Sequence, residues 1–237
     1  MKIPILMYHS ISDGNNKLSV PIKKFEKQMR FMSQNGYKTI NLKDLSNLNR
    51  VKYKYNKFFI ITFDDGYEDV FVNALKILNK YNFTATCFFV SKYLGKHNIW
   101  DENKPNFIKL NLMDNEQIQE WSSKGMEVGS HSTDHKNLTN LNYKEKYSQI
   151  NEPKKFFKDI FSLDIKTFSY PFGSIDKETV DIVKKNYNYA VTTNRSRFMF
   201  NKFDNYKLPR VPINKNDNIF KFYLKINTIY EDIKFKN

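Results

Sequence analysis

The chain lacks most of the devices that hold small proteins together from outside a core. It has one cysteine in 237 residues, so no disulfide can form within it. Cys87 lies in the apolar run Phe83-Thr84-Ala85-Thr86-Cys87-Phe88-Phe89-Val90 and reads as a small buried hydrophobe, not a nucleophile. Seven glycines and seven prolines are too few for a collagen-like or Pro-rich class, and no fixed period marks a repeat array. No apolar stretch approaches the roughly 18 residues that a membrane-spanning helix needs. The opening segment MKIPILMYHSI, broken by Pro4, is too short for a signal-peptide apolar region. These absences predict a chain in the cytoplasm or on the inner face of the membrane.

Aromatic rings and positive charge are what the chain has in excess. With 21 Phe and 15 Tyr, aromatics reach 16%, and so many large rings must be buried somewhere, which excludes a disordered chain. At 40% apolar the chain can build one good-sized core. No Pro-, Gly- or Ser-rich linker divides it, so residues 1–237 are expected to form a single domain. Thirty-nine Lys+Arg against 25 Asp+Glu give a net charge of +14, an argument for attraction to anionic partners such as phosphate-bearing glycans or an anionic membrane surface. The cations are mostly Lys and are spread along the chain, whereas base-reading proteins lean on Arg within recognisable modules, so no nucleic-acid partner is expected.

Short apolar runs alternate with segments of helical period. The runs at residues 3–8, 58–63, 84–90, 127–130, 167–170, 189–192 and 208–213 read as strands. Residues 22–35, 69–81, 115–124 and 177–186 read as helices, the first ended by Gly36 and the third by Gly125. This alternation predicts an α/β fold, a distorted and incomplete (β/α) barrel of about seven parallel strands. Residues 95–111, with Trp100, Asp101 and Pro105, read as an insertion loop over one face.

Two constellations stand out as chemistry. The buried run 58–63 ends in Asp64-Asp65-Gly66, at the place where barrel enzymes keep catalytic groups. Adjacent carboxylates leaving a strand point apart, so one can bind a metal while the other takes a proton from water; the same three residues also make an ordinary turn or helix cap. The predicted strand at 127–130 ends in His131-Ser132-Thr133-Asp134-His135, which holds two of the four histidines. With Asp65 they would make a two-His, one-carboxylate set open to water and substrate, compatible with zinc or another divalent transition metal. Asp134 between them reads as a turn residue and His97 as surface. A third run, Phe168-Ser169-Tyr170-Pro171-Phe172-Gly173, is a strand-to-turn exit whose amides could face an acyl oxygen.

In order and spacing, Thr62-Phe63-Asp64-Asp65-Gly66, His131-Ser132-Thr133-Asp134-His135 and Tyr170-Pro171-Phe172-Gly173 resemble the polysaccharide deacetylases with a NodB-homology domain. The likeness runs from Tyr8-His9 to about Ile213 and includes Asn98-Ile99-Trp100-Asp101. It implies a distorted βα barrel that removes acetyl groups from N-acetylated sugars with one divalent ion, zinc first, with cobalt, nickel or manganese as alternatives. Carried over by position, Asp65, His131 and His135 would hold the ion, Asp64 would be the general base, and the Phe172 amide would face the oxyanion. Two departures stand beside this likeness. The best-known members have Arg-x-Pro-Tyr in the third motif and a late Leu-x-His that supplies the acid. Here Ser169 and Phe172 stand in the Arg and Tyr places, and His135 is the last histidine. Arg210 is the candidate to reach the base, and His9 to serve as acid or substrate ligand; the Tyr-His opening resembles the branch that includes deacetylases of exported β-linked glucosamine polymers. Trp100, Tyr170 and Phe172 are expected to offer ring faces to a sugar.

The leading function is therefore a metal-dependent amidohydrolase on an N-acetylated sugar of a cell-surface glycan or its lipid-linked precursor. A glycan-binding barrel without turnover is the alternative, favoured by the missing Arg and late His. An enzyme on phosphate-containing substrates would suit the charge, but neither a Gly-rich phosphate loop nor a second acid cluster is present.

Overall fold

The computed structural model describes residues 2–14, 16–48, 57–199 and 202–234. Seven strands carry the architecture: β1 (Ile5–Tyr8), β2 (Lys57–Phe63), β3 (Thr86–Phe89), β4 (Glu127–Ser130), β5 (Thr167–Ser169), β6 (Tyr189–Arg195) and β7 (Leu208–Pro212). All pair in parallel, in the ring order β1-β7-β6-β5-β4-β3-β2, and the β1–β2 pairing closes the ring. The result is a closed, distorted (β/α) barrel, one strand short of the regular eight. Two seams show the distortion: β4 and β5 share the single register pair Ser130↔Phe168, and the β6–β7 register slips between Val191 and Arg195.

Because parallel strands are covered on both faces, their apolar runs are continuous, and residue parity decides which face each side chain meets. One parity forms the smaller cluster inside the ring: Ile5, Ile60, Phe88, Val191 and Leu208. The other parity, including Leu6, Phe59, Ile61, Phe89 and Ala190, packs outward beneath the helices. The inward rows continue upward as Met7 and His9, Thr62 and Asp64, Gly129 and His131, Thr167 and Ser169, and Arg210. The alternation that fills the bottom of the ring with hydrocarbon thus delivers polar groups to its mouth.

Helix α1 (Ile22–Gln34) buries Phe25, Met29 and Met32 and stops at Asn35 and Gly36. The segment 69–81 is not one helix: a π-helical turn at Val70–Ala74 precedes α2 (Leu75–Lys80), a local widening common beside functional sites. Helices α3 (Asn115–Ser123) and α5 (Lys177–Asn186) start on Asp114 and Asp176 caps. The longest helix, α4 (Tyr143–Phe161), has no counterpart in the sequence-based reading. Pro153 in its interior argues against a helix, and only the Asn142/Glu145 capping box signals its start. A short strand at Tyr37–Thr39, pairing with Lys57–Phe59, was equally invisible at three residues of mixed character. Among the described residues no helix is long and apolar enough to cross a membrane.

The last helices, α6 (Ile219–Asn227) and α7 (Tyr230–Lys234), are tied to the barrel by buried ion pairs. Lys225, paired with Asp217 just ahead of α6 at 2.6 Å, donates to the Pro212 carbonyl of β7 at 2.6 Å, Arg195 forks Glu231 at 2.9 and 3.1 Å, and Arg197 reaches Asp232 at 2.7 Å. Burial works against the Asp232 charge, but Arg197 and Lys2 outweigh it and hold the carboxyl well below its usual range. A depressed folded pKa means stability that is present above the unfolded value of about 4 and is lost as pH falls through the lower folded value. Asp232→Asn should therefore lower the melting temperature by about 2–4 °C near neutral pH, and the two melting curves should converge in strong acid. A difference that stayed constant with pH would assign Asp232 a packing role instead.

Candidate active site

The mouth of the barrel is organised around a buried carboxylate and a buried guanidinium. Arg210, fully buried on β7, donates from Nη1 and Nη2 to the two oxygens of Asp64, each at 2.7 Å. Its remaining N–H groups reach the Thr192 carbonyl (2.9 Å), Thr62 Oγ1 (3.2 Å) and Ser169 Oγ (3.3 Å), so all five donors are used. Four strands are joined through one side chain. Ser169, in the place where the resemblance expects an Arg, contributes its hydroxyl to the Arg210 guanidinium. Burial pushes the Asp64 carboxyl up, yet the Arg210 charge and its hydrogen bonds overcome this and hold it below the ordinary carboxylate range. Asp64 is therefore an anion, pre-oriented by a planar fork.

Asp65 turns away from Asp64. Its φ of 74° lies in the left-handed region, where a non-glycine residue is strained. This aims Oδ1 at His131 Nε2 (3.4 Å) and His135 Nε2 (3.3 Å). One ligand atom from each of the three lies within 4.8 Å of the others, and all three residues are buried. His131 Nδ1 sits 2.7 Å from the Ser169 carbonyl. The carbonyl can only accept, so Nδ1 carries a proton and Nε2, facing Asp65, is the nitrogen that would give its lone pair to a bound cation. Lone pairs converging on an anionic oxygen fit one divalent cation. Burial pushes Asp65 up, but the two histidines hold it well below its usual value. Burial likewise favours neutral histidines; at His131 the two carboxylates prevail and the pKa rises, whereas at His135 burial prevails and it falls.

Strain recurs at the second motif. Ser132 and His135 also have positive φ, at 65° and 61°, and the Ser132 hydroxyl accepts from the His135 amide at 3.1 Å. The His135 ring is sandwiched: Trp100 stacks on it at 4.7 Å and 21°, and Phe172 meets it edge-on at 4.7 Å. Asp134 points elsewhere, pairing with Lys136 at 3.2 Å, and His97 pairs with Glu102 outside the site.

The structure brings together eight of the sequence-derived candidates and separates one. Asp64, Asp65, His131, His135 and Arg210 meet as described, and His9 Nε2 lies 4.0 Å from Asp64 Oδ2 at the end of β1. Phe172 is half exposed at 50% in a turn with φ 61°. Gly173 follows at φ 71°, where a Cβ would fall 2.0 Å from Thr193 Oγ1, so the turn cannot relax. Trp100 lines the mouth, though one face is spent on His135. Tyr170 does not offer a ring to a sugar: it is 1% exposed, packs on Phe168 at 5.3 Å and donates its hydroxyl to the Tyr206 carbonyl. Its place on the outward parity of β5 turns it into the core. Cys87 is buried, and burial pushes its thiol well up. The sequence reading missed the supporting roles of Ser169, Thr192, Thr62 and Ser132, which arise only where strands and turns meet.

A model of the polysaccharide deacetylase family matches residues 52–191. The YxkH protein of Bacillus subtilis (strain 168), named for the same family, is 37% identical over 195 residues, which are 81% of this chain and 64% of that protein. The chain thus spans less than two thirds of that relative's length. A poly-β-1,6-N-acetyl-D-glucosamine N-deacetylase of Staphylococcus aureus (strain MRSA252) is 26% identical over 93% of this chain and 76% of its own length. Among solved structures, BC0361, a polysaccharide deacetylase from Bacillus cereus, superposes with a TM-score of 0.81 at 27% identity, covering 96% of this chain and 69% of that one.

Removing one partner of a buried pair strands the other charge. Arg210→Ala should therefore cost about 3–5 kcal/mol of unfolding free energy in urea. Adding Asp64→Asn to that variant should restore part of the loss. No restoration would mean that the cost is the cavity and not the stranded carboxylate.

Proposed function

The chain belongs to the polysaccharide deacetylase family, and we propose that it is a metal-dependent N-deacetylase acting on N-acetylglucosamine units of a cell-surface glycan or its lipid-linked precursor. One observation carries this reading: an ionised, Arg-oriented carboxylate stands directly beside a buried Asp-His-His set at the barrel mouth. The name of the S. aureus relative supports the choice of sugar.

Asp65, His131 and His135 would hold one divalent ion, zinc first and cobalt, nickel or manganese as alternatives. Bound there, the ion supplies Lewis-acid polarisation of the acetyl carbonyl and lowers the pKa of a water. Asp64 takes the proton of the attacking water, a task that requires the anionic form that Arg210 maintains. The fork leaves the carboxylate no freedom to rotate, so the accepting oxygen is already in place when the substrate arrives. As water adds to the carbonyl carbon, charge grows on the oxygen, and the Phe172 amide in its strained turn donates to it. The C–N bond then breaks, His9 delivers a proton to the departing amine, and acetate and a free amino sugar leave. Trp100 and Phe172 border the mouth and give an N-acetyl methyl group or sugar face an apolar wall. Arg210, bonded to Asp64 and Ser169, supports turnover over a merely binding barrel.

Acetate release from β-1,6-linked N-acetylglucosamine oligomers tests the reading. Release should appear with zinc or cobalt, vanish with chelator, and fall by about 100-fold or more in Asp64→Asn. Protein shown to hold one metal per chain that releases no acetate from these oligomers or from sugar-lipid precursors would overturn it. His9→Ala should lower kcat by about 100-fold at unchanged metal content; an unaltered kcat would return His9 to a structural role.

A further inference from the structure

His9, which delivers the proton to the departing amine in the reading above, belongs to no strand or helix. It lies between β1 and the short strand Ser10–Ile11, with its half-buried ring placing Nε2 4.0 Å from Asp64 Oδ2. A group that must meet a reacting nitrogen needs a fixed backbone, and the residues that fix it come from one stretch of chain, the one running from Asp64 into the π-helical turn. Before His9, the Tyr8 carbonyl accepts from the Asp64 amide at 3.0 Å. After it, the Asp69 carboxylate takes hold of the next two residues: Oδ2 accepts from the Ser10 hydroxyl at 2.6 Å and Oδ1 from the Ile11 amide at 2.9 Å. The Ile11 carbonyl in turn accepts from Asn73 Nδ2 at 2.9 Å. Because the Ser10 hydroxyl gives its proton to Asp69, Ser19 is the donor in the 2.8 Å contact between the two serine oxygens.

The clamp is itself anchored from behind. The Met113 amide donates to the Gly66 carbonyl and the Glu68 amide to the Asn111 carbonyl, each at 2.9 Å, and Tyr67 bridges to Leu112. Asp69 stands at the start of the π turn Val70–Ala74 and Asn73 lies within it, so the turn presents an acceptor and a donor to the same short strand. Both Asp69 oxygens accept from neutral groups of that strand, and bonds to a carboxylate are shorter and roughly twice as strong as neutral ones. We infer that Asp69 and Asn73 are positioning residues for His9: they hold the backbone that follows it as the Asp64 amide holds the backbone that precedes it, and so fix the place of its imidazole relative to the Asp64 base. This deepens the deacetylase reading and rests on it. Residues 64–73 then carry the base, one ligand of the Asp-His-His set and the mount of the acid, so a single piece of backbone sets all three in register. Displacing a reacting group by about 1 Å can cost about 100-fold in rate.

The test is a double-mutant cycle on acetate release, with Asp69→Ala made in the parent and in His9→Ala. In the parent, Asp69→Ala should lower kcat by about 10–100-fold and leave KM and bound zinc unchanged. In the His9→Ala background the same change should alter kcat by less than about twofold, because losses that act through one group do not add. A merely structural aspartate would give the same loss in both backgrounds. Asp69→Asn, which can still accept from the Ile11 amide, should recover most of the lost rate. If Asp69→Ala does not fold, Asn73→Ala, which removes only the bond to the Ile11 carbonyl, runs the same cycle with a smaller loss. Equal losses in both backgrounds, a parent-like kcat in Asp69→Ala, or lost zinc that accounts for the lost rate would overturn the inference and leave the deacetylase reading intact. An unchanged kcat in His9→Ala would overturn it too, since no proton delivery would remain to be positioned. A parent chain that held one metal and released no acetate would overturn both.

Discussion

The pairing of Arg210 with Asp64 is the interaction on which the rest of the mouth depends. A carboxylate at the top of a closed barrel is cut off from water, and ionising it there costs several kcal/mol unless a cation compensates at close range. Arg210 compensates with two parallel bonds of 2.7 Å and spends its other donors on three neighbouring strands. Such a pair adds little net stability over a hydrocarbon core of the same volume. What it provides is a fixed anion, and a fixed anion is what proton abstraction at the mouth requires.

The same barrel holds a second buried carboxylate that shows what Arg210 contributes. Glu127, near the bottom of β4, accepts from Thr86 (2.7 Å), Thr167 (2.6 Å) and the Lys43 amide (3.0 Å). Among the described residues no guanidinium faces it. Burial prevails over these neutral donors, and its carboxyl is pushed above the ordinary range. Two inward-facing carboxyl groups are thus moved in opposite directions by their partners alone. Glu127 serves as a polar tie between β3, β4 and β5, close to the seam where β4 and β5 share one register pair, while Asp64 is held ready to accept a proton.

Backbone strain gathers at the same end. Among the described residues seven non-glycine positions have positive φ, and four of them are Asp65, Ser132, His135 and Phe172. Each such residue costs on the order of 1–3 kcal/mol, and the core below is what sustains them. The strain has a geometric use. A strand exit of ordinary conformation would send Asp64 and Asp65 to opposite faces of the sheet; the left-handed turn at Asp65 swings the second carboxylate back to the rim, where His131 and His135 arrive from β4.

Much of this was legible in the chain. The apolar runs located all seven barrel strands, because a strand buried on both faces must be apolar at every position. The motifs located Asp64, Asp65, His131 and His135, because so few residue types bind a divalent ion or move a proton that their clustering is informative even in one sequence. Helix α4 escaped because its apolar stripe is thin and Pro153 interrupts it, and the π-turn before α2 escaped because no residue pattern marks it. Tyr170 was misjudged as a sugar platform, since an aromatic next to a motif looks the same whether it faces the mouth or the helices; parity on β5 decides, and parity is known only once the register is. Arg210 lies far along the chain from Asp64, and the sequence offered it only as the candidate to reach the base; the two bonds of 2.7 Å bear that out. The sequence by itself determined which elements form and which groups carry the chemistry, because those depend on residue type and local spacing. Which guanidinium meets which carboxylate, which ring is buried, and which protons are held or released were decided by the closing of the barrel, because desolvation and charge pairing act through space and not along the chain.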